Sequence, residues 1–345
     1  MNIWKRISYL PYQITWHLKK RFHPEFQADF LCGGYVDYIC FRSIHKLLPE
    51  VRIVARNKKT YNELTAKNIK AVIYPTYPDL VIMARHLAHK YPVKRIVKIG
   101  MRHGAYHFKD FVAPERYNAF DKYLFTSSHE VELAVQKGIV CGVAVGFPKL
   151  DPIFNHEITA DDINKIRTEL KLDPEKKTVL FSATWDKKGY SAIDKWIYRI
   201  EELADKYNIL VTVHHWTSEQ YKRLLLSYQK IHYIQDKDIL PYLVAADVMV
   251  GDTSSIIAEF CALDKPMITF RVEETKRFTS EIRSMLEEIS YRIDNFEELR
   301  SALQQAVLQP DYHTKARKKY NKIMFDELDG KAANRSASYI KEYWR

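Results

Sequence analysis

No stretch of this 345-residue chain approaches the roughly 18 consecutive apolar residues that a membrane-spanning helix requires. The first residues hold neither a signal-peptide apolar core nor a small-residue cleavage site, so a cytoplasmic protein is expected. Cysteine is scarce. Cys32, Cys40, Cys141 and Cys261 lie far apart or inside apolar runs, and none forms a metal-type pair. They read as buried, reduced thiols. A Walker-type loop, a GxSxG elbow, zinc-ligand spacing and a Gly-rich dinucleotide fingerprint are all missing. These absences disfavour a kinase, an esterase and a dehydrogenase, and no cofactor or metal-ligating residue is assigned. The interleaved aromatic and basic pattern of an RNA-binding motif is missing too, so no nucleic-acid partner is expected. No acidic residue precedes Glu25.

What is present is length, apolar content and positive charge. The length suggests two domains, and 46% hydrophobic residues suffice for two cores. The net charge of +11 favours anionic partners such as phosphates or acidic lipid headgroups. Residues 1–24 form a basic amphipathic segment in which Lys5, Arg6, Lys19, Lys20 and Arg21 accompany Trp4, Ile7, Leu10, Ile14, Trp16 and Leu18. Tryptophan flanked by cations suits a bilayer interface, and a helix packed on the protein's own body is the competing reading. Pro11 would kink that helix.

From residue 25 strands and helices alternate. Strands are expected at Ala28 to Cys32, Val51 to Ala55, Ala71 to Tyr74, Arg95 to Ile99, Lys122 to Thr126 and Val143 to Val145. Helices are expected at Tyr35 to Leu48, Tyr61 to Lys67, Asp79 to His89 and Ser128 to Lys137. Gly146-Phe-Pro-Lys-Leu-Asp-Pro152 reads as a linker. A second set follows, with strands at Thr178 to Ser182, Ile209 to Val213, His232 to Ile234, Val248 to Val250 and Met267 to Phe270. Its helices are Asp161 to Leu170, Ala192 to Tyr207, Glu219 to Tyr228, Ile239 to Ala245 and Phe296 to Leu308. The pattern specifies two doubly wound α/β domains, 25–148 and 149–328, with an inter-domain cleft. A C-terminal helix within 329–345 can cross back to the first domain. The run Lys315, Arg317, Lys318, Lys319 and Lys322 reads as a solvated basic face, with a lipid or polyphosphate contact as the competing reading.

One stretch, Asp247 to Arg271, organises the second domain. The strand Val248 to Val250 breaks at Gly251-Asp252, Thr253-Ser254-Ser255 stand at a helix N-terminus, and Pro266 ends the helix. A strand, polar turn and helix put backbone donors and hydroxyls at the carboxyl edge of a sheet, where phosphates bind. Asp252, Thr253, Ser254 and Ser255 are therefore the candidate phosphate turn, and Glu259, one turn on, is a candidate for a ribose hydroxyl. Simple helix capping is the competing reading.

Two loops supply imidazoles. Arg102-His103-Gly104, with Lys109 nearby, follows a first-domain strand. A histidine there can accept a hydroxyl proton near neutral pH, and the glycine permits close ligand approach. His214 and His215 end a second-domain strand, where alternation would put them on opposite faces.

Together these residues resemble the CDP-glycerol glycerophosphotransferase family of teichoic-acid primases and polymerases. The matches are Arg102-His103-Gly104, Gly146-Phe-Pro-Lys-Leu-Asp151, Ala183-Thr-Trp-Asp186, the stretch from Asp247 through Ser254-Ser255 to Glu259-Phe260, Leu263-Asp-Lys-Pro-Met267, and Asp329-Gly-Lys-Ala332 with Arg335. The likeness spans about residues 95–340. It departs where the family's second histidine precedes proline: here Val213-His214-His215-Trp216 stands, and His215 is the favoured match over His214.

The resemblance implies a GT-B architecture of two facing Rossmann-like domains. It implies a phosphotransferase that moves glycerol phosphate, or a related polyol phosphate, from a CDP-activated donor to a hydroxyl of a cell-surface glycan or lipid-linked saccharide, releasing CMP. His103 would be the base on that hydroxyl. Ser254, Ser255, His215, Lys149 and Thr184 would hold the donor, with Arg102, Gly104 and Lys109 on the acceptor side. A lipid-linked acceptor would give residues 1–24 a role as a peripheral contact on the inner face of the bacterial plasma membrane. A GT-B glycosyltransferase or epimerase using a nucleotide sugar is the alternative.

Overall fold

The computed structural model describes residues 3–106, 110–186, 189, 191–273 and 279–344, with side chains from residue 9 onward. The chain divides into two units. One comprises residues 1–103, 111–151 and 329–345, and the other residues 104–110 and 152–328.

The first unit is a seven-stranded sheet in the order β3-β2-β1-β4-β5-β6-β7. Its strands are β1 (Ala28–Cys32), β2 (Arg52–Ala55), β3 (Ala71–Ile73), β4 (Leu80–Met83), β5 (Val97–Met101), β6 (Lys122–Phe125) and β7 (Gly142–Ala144). All pairings are parallel. The central strand β1 is buried along its whole length, as a strand covered on both faces must be. Phe30 stacks on Phe41 of the following helix at 4.0 Å. β4 corrects an expectation: Leu80–Met83 falls inside the helix expected over Asp79 to His89. Four consecutive apolar residues carry no period of their own, and here all four are buried in the sheet.

The N-terminal helix, Ile3–Phe22, runs through Pro11. One face packs on its own unit. Trp16 is 2% exposed and donates its indole N–H to the Pro78 carbonyl at 2.7 Å. Tyr12 donates to the Thr76 carbonyl and Gln13 to the Pro92 carbonyl, while Lys20 pairs with Asp79. Leu10, Ile14, Leu18 and Phe22 recur every four residues on another face and are 49–72% exposed. Among the described residues, no helix is long and apolar enough to cross a membrane.

The second unit is a six-stranded parallel sheet in the order β10-β9-β8-β11-β12-β13. Its strands are β8 (Lys177–Ala183), β9 (Tyr207–Val213), β10 (His232–Tyr233), β11 (Val248–Gly251), β12 (Met267–Phe270) and β13 (Tyr291–Ile293). The single long helix expected at Ala192 to Tyr207 is instead two short 3-10 turns, Ile193–Lys195 and Ile200–Leu203. β-Branched and aromatic residues crowd this segment, and they are weak helix formers. The tighter winding still buries Ile193, Trp196, Ile197, Ile200 and Leu203. Helices Ser280–Ile289 and Thr314–Phe325 complete the unit.

Arg317 leaves the expected solvated basic face. Its side chain is fully buried and its Nε donates to Asp264 at 2.7 Å. Its Nη2 donates to the carbonyls of Asp264 and Pro310 and to the Thr314 hydroxyl. Cys32, Cys40 and Cys261 are buried, and Cys141 is half-buried.

Residues 329–345 close the first unit. Helix Ala332–Lys341 presents the N–H groups of Ala332 and Ala333 to the Asp151 carboxylate at 3.2 and 2.6 Å. Arg335 pairs with Asp329 and donates to the Val145 carbonyl. Gly146, at φ +85°, lies against Ala332 and Arg335, where a Cβ would come within 2.9 Å of Ala332 Cβ.

Two stability predictions follow from this packing. Trp16→Ala should cost about 3–5 kcal/mol in urea unfolding, while Leu18→Ala should stay within about 0.5 kcal/mol. Burial raises the Asp151 carboxyl to about 6, above its usual 3.8. A carboxyl whose folded pKa is raised stabilises below its unfolded pKa and loses that contribution as pH climbs through the folded value. The unfolding free energy should therefore decline by roughly 3 kcal/mol between about pH 4 and 6. Asp151→Asn should flatten that slope.

Candidate active site

In the second unit the candidate site grows from the carboxyl ends of β8, β9 and β11. The buried carboxylate of Asp252 follows β11 and accepts the Thr184 N–H through both oxygens at 3.1 Å. It also accepts the N–H groups of Ala192 at 3.1 Å and Thr253 at 2.6 Å. One anion thus fixes the loop after β8 to the turn after β11.

Thr253 is buried, whereas Ser254 and Ser255 are half-exposed. Ser255 is the N-cap of helix Ile256–Cys261 by position, but it has helical dihedrals of −62° and −13° and makes no side-chain capping bond. The nearest such contact, Ile256 N–H to Ser254 Oγ, is long at 3.5 Å. The paired hydroxyls are therefore not committed to capping. Glu259 is buried at 2% exposure. The helix stops at Cys261, before Pro266, and Asp264 takes a left-handed turn at φ 53°. Gly104 belongs to this unit, and a Cβ there would lie 2.9 Å from Ser255 Oγ.

His214 and His215 do not project to opposite faces. β9 ends at Val213, and residues 214–217 form a turn closed by Thr217 N–H donating to the His214 carbonyl at 2.8 Å. The two imidazoles stack at 4.3 Å. His214 is half-buried, and its Nδ1 accepts the Trp216 N–H at 3.1 Å, so its proton resides on Nε2 when neutral. His215 is exposed. Trp216, at 59% exposure, meets Trp185 edge-on at 5.3 Å.

In the first unit His103 follows β5. Its Nδ1 lies 3.1 Å from the Ala84 carbonyl. A carbonyl can only accept, so Nδ1 carries the proton and Nε2 keeps a lone pair. The Cys40 thiol donates to the His103 carbonyl at 3.4 Å. The residue is exposed to solvent, yet desolvation by surrounding protein, then the charges of Arg85 and Arg102, hold its pKa well below the ordinary histidine value. Arg85 donates to the buried Asp37 carboxylate at 2.8 Å, and Arg102 Nε pairs with the buried Glu130 at 3.2 Å. Lys149 is buried in the turn Pro148–Leu150. Lys109 lies outside the described residues.

Arg85 was missed by the sequence reading. It stands two residues beyond β4, and the mistaken helix hid its place at a strand's carboxyl end. A cavity of about 430 Å³ at the β13 edge contains none of the predicted residues, and Arg271 in its wall is already paired with Glu287 and Asp294. Among the described residues, no group of three or more His, Cys, Asp or Glu could hold a metal.

The family profile described as CDP-glycerol:poly(glycerophosphate) glycerophosphotransferase matches residues 36–342. The chain is 24% identical over 142 residues to the teichoic acid poly(glycerol phosphate) polymerase of Staphylococcus epidermidis, covering 38% of this chain and 19% of that protein. It is 24% identical over 218 residues to the teichoic acid poly(ribitol-phosphate) polymerase of Bacillus spizizenii, covering 57% of this chain and 33% of that one. The chain therefore spans a third or less of these two curated relatives. Its fold superposes on the wall teichoic acid polymerase TagF, solved after a CDPG soak, with a TM-score of 0.69 and 16% identity over 93% of this chain and 88% of that chain.

The close approach of Gly104 to Ser255 yields a test. Gly104→Ala should destabilise by about 1–3 kcal/mol, because the new methyl meets Ser255. Adding Ser255→Ala should recover part of the loss in thermal unfolding, since the hydroxyl is the nearest atom.

Proposed function

This chain belongs to the CDP-glycerol:poly(glycerophosphate) glycerophosphotransferase family, and on that premise we propose that it transfers glycerol phosphate from CDP-glycerol to a glycan hydroxyl. The observation that carries the reading is the His103 imidazole, with Nδ1 fixed by the Ala84 carbonyl and Nε2 left as the acceptor. The acceptor oxygen attacks the phosphorus that bears glycerol and gives its proton to His103 Nε2. The new P–O bond forms as the bond to the bridging oxygen breaks, and CMP leaves. Catalysis is positioning and charge stabilisation, as in phosphoryl transfer generally. Ser254 and Ser255 offer hydroxyls to the diphosphate, and His215 and Lys149 offer positive charge or hydrogen bonds to it. Asp252 acts through the loops it ties together. Arg102, held by Glu130, and Gly104 shape the acceptor side.

The N-terminal helix fits a membrane-linked acceptor. Leu10, Ile14, Leu18 and Phe22 would sink into the headgroup region while exposed Lys19 and Arg21 meet anionic lipid. The inner leaflet of the bacterial membrane is the surface we assign to it.

His103→Ala should abolish CMP release from CDP-glycerol, with thermal unfolding unchanged within a few degrees. Unchanged turnover would overturn the base assignment. A base must be deprotonated to act, so the lowered pKa should move the acid limb of kcat/KM below the usual histidine range near 6.5. Ile14→Asp with Phe22→Asp should abolish co-sedimentation with anionic vesicles while leaving CMP release to a water-soluble acceptor intact.

A further inference from the structure

We propose that Arg85 receives a phosphate ester carried by the acceptor, which makes the acceptor an anionic saccharide or polyol chain end whose phosphate lies close to the attacking hydroxyl. The inference deepens the preceding reading and rests on it.

Arg85 stands where the first sheet reverses direction. From β1 the chain builds outward through β2 and β3, then returns to the other side of β1 and continues through β4 to β7. Ligands of doubly wound sheets settle outside the carboxyl ends of the strands at that reversal. Asp37 lies in the first turn of helix Tyr35–Leu47, which follows β1, and Arg85 lies two residues past β4. The two meet across the reversal, Arg85 Nε donating to Asp37 Oδ1 at 2.8 Å. Asp37 is fully buried, and its other oxygen accepts the Gly33 N–H at 2.8 Å. The carboxylate takes only Nε. Both Nη groups make no hydrogen bond among the described residues, and the side chain keeps 34% of its surface exposed. A buried anion thus aims the guanidinium and leaves open the edge that forks onto two phosphate oxygens. The stem lies beside Gly33, where a Cβ would stand 3.7 Å from Arg85 Cγ. The Tyr35 N–H at the start of the helix is already taken by Glu63 at 3.3 Å, so the arginine and not the helix end is the receptor. Arg56, exposed just past β2, adds a second cation at the same edge.

The tautomer of His103 decides which reactant meets Arg85. Nδ1 faces the Ala84 carbonyl, so Nε2 points away from the end of β4. In the reaction assigned above, the attacking oxygen sits at Nε2 and the phosphorus lies beyond it. In-line displacement puts the rest of the acceptor on the opposite side of that oxygen from the leaving group, back over the imidazole. Arg85 follows Ala84 directly and leans toward β1, behind the ring. It therefore meets the body of the acceptor and not the phosphorus under attack. After desolvation, Arg85 is the first of the charges that lower the His103 pKa, so guanidinium and imidazole share one electrostatic neighbourhood. Neighbouring strands stand about 4.8 Å apart, so the step from β5 across β4 to the β1 flank is roughly 5–10 Å. One polyol phosphate or sugar phosphate unit covers that span.

The test uses the full chain, CDP-glycerol as donor and three acceptors: a glycerol phosphate trimer, a disaccharide 1-phosphate and the same disaccharide without phosphate. Arg85→Gln should raise KM for the phosphate-bearing acceptor about tenfold or more, while KM for CDP-glycerol stays within about twofold and kcat at saturating acceptor changes less than about threefold. Arg85→Lys keeps the charge without the fork and should fall between. Glutamine at this position leaves Asp37 buried and unpaired, so Asp37→Asn with Arg85→Gln removes both charges together and should show the same split. The trimer responding alone would identify the phosphate as a chain-end phosphodiester, and the disaccharide 1-phosphate responding alone as a saccharide phosphate. Calorimetry without donor reads the contact apart from turnover: the phosphate-bearing acceptor should bind the double variant at least about tenfold more weakly than wild type. Equal acceptor KM and affinity in wild type and variants would overturn the proposal, as would a wild type that uses the neutral disaccharide as well as the charged acceptors. A rise in KM for CDP-glycerol to match would assign Arg85 to the donor and overturn it too. Should no CDP-activated donor be turned over, the reaction assigned above fails, while calorimetry still decides the role of Arg85.

Discussion

The second unit depends on a single buried carboxylate. Asp252 receives N–H groups from Thr184, Ala192 and Thr253, and so gathers the loop after β8 and the turn after β11 onto one point. Burying an ionised group is costly unless its lone pairs are filled, and the backbone donors fill them. Because the donors are main-chain groups, the anion specifies loop shape whatever the neighbouring side chains are. The serine hydroxyls can then face outward, and the loop carrying Trp185 starts from a fixed root.

The same device recurs at three other places. Asp186 holds Ser218, Asp151 holds the first N–H groups of the last helix, and Glu130 accepts the Thr126 N–H beside Arg102. In each, an acid is used up by nearby backbone. These backbone-bound acids still count in full toward the net charge of +11, because a hydrogen bond leaves a carboxylate's charge in place. Arg317 is the counterexample: inside a basic run, it serves a buried ion pair and belongs to the core.

Much of the fold was legible in the sequence because parallel strands buried on both faces read as short apolar runs between helices. β1, β11 and β12 were visible in that way. β4 was not, since Leu80–Met83 is an apolar run whose flanks, Asp79 and Arg85-His86, look equally like the edges of a helix turn. The error carried forward, for a strand at that position would have put Arg85 at a carboxyl edge. Ile193 to Leu203 failed for another reason: the apolar spacing was right, but three- and four-residue windings bury the same residues. His214 and His215 needed the end of β9 to be known to one residue, because a turn in place of one more strand position changes opposed rings into stacked ones. The polar turn at 252–255 was readable as a site from its chemistry, while the commitment of Asp252 to backbone could only come from coordinates.

The division of the chain has a consequence for its synthesis. Residues 329–345 complete the unit that begins at the N-terminus, and Phe26 meets Trp344 at 5.1 Å. A ribosome must therefore finish the whole of the second sheet before the first can close. Until then Asp151 has no helix to bind, and the surface awaiting residues 332–341 stays open to water or to a chaperone. The unit translated first is the last to be finished.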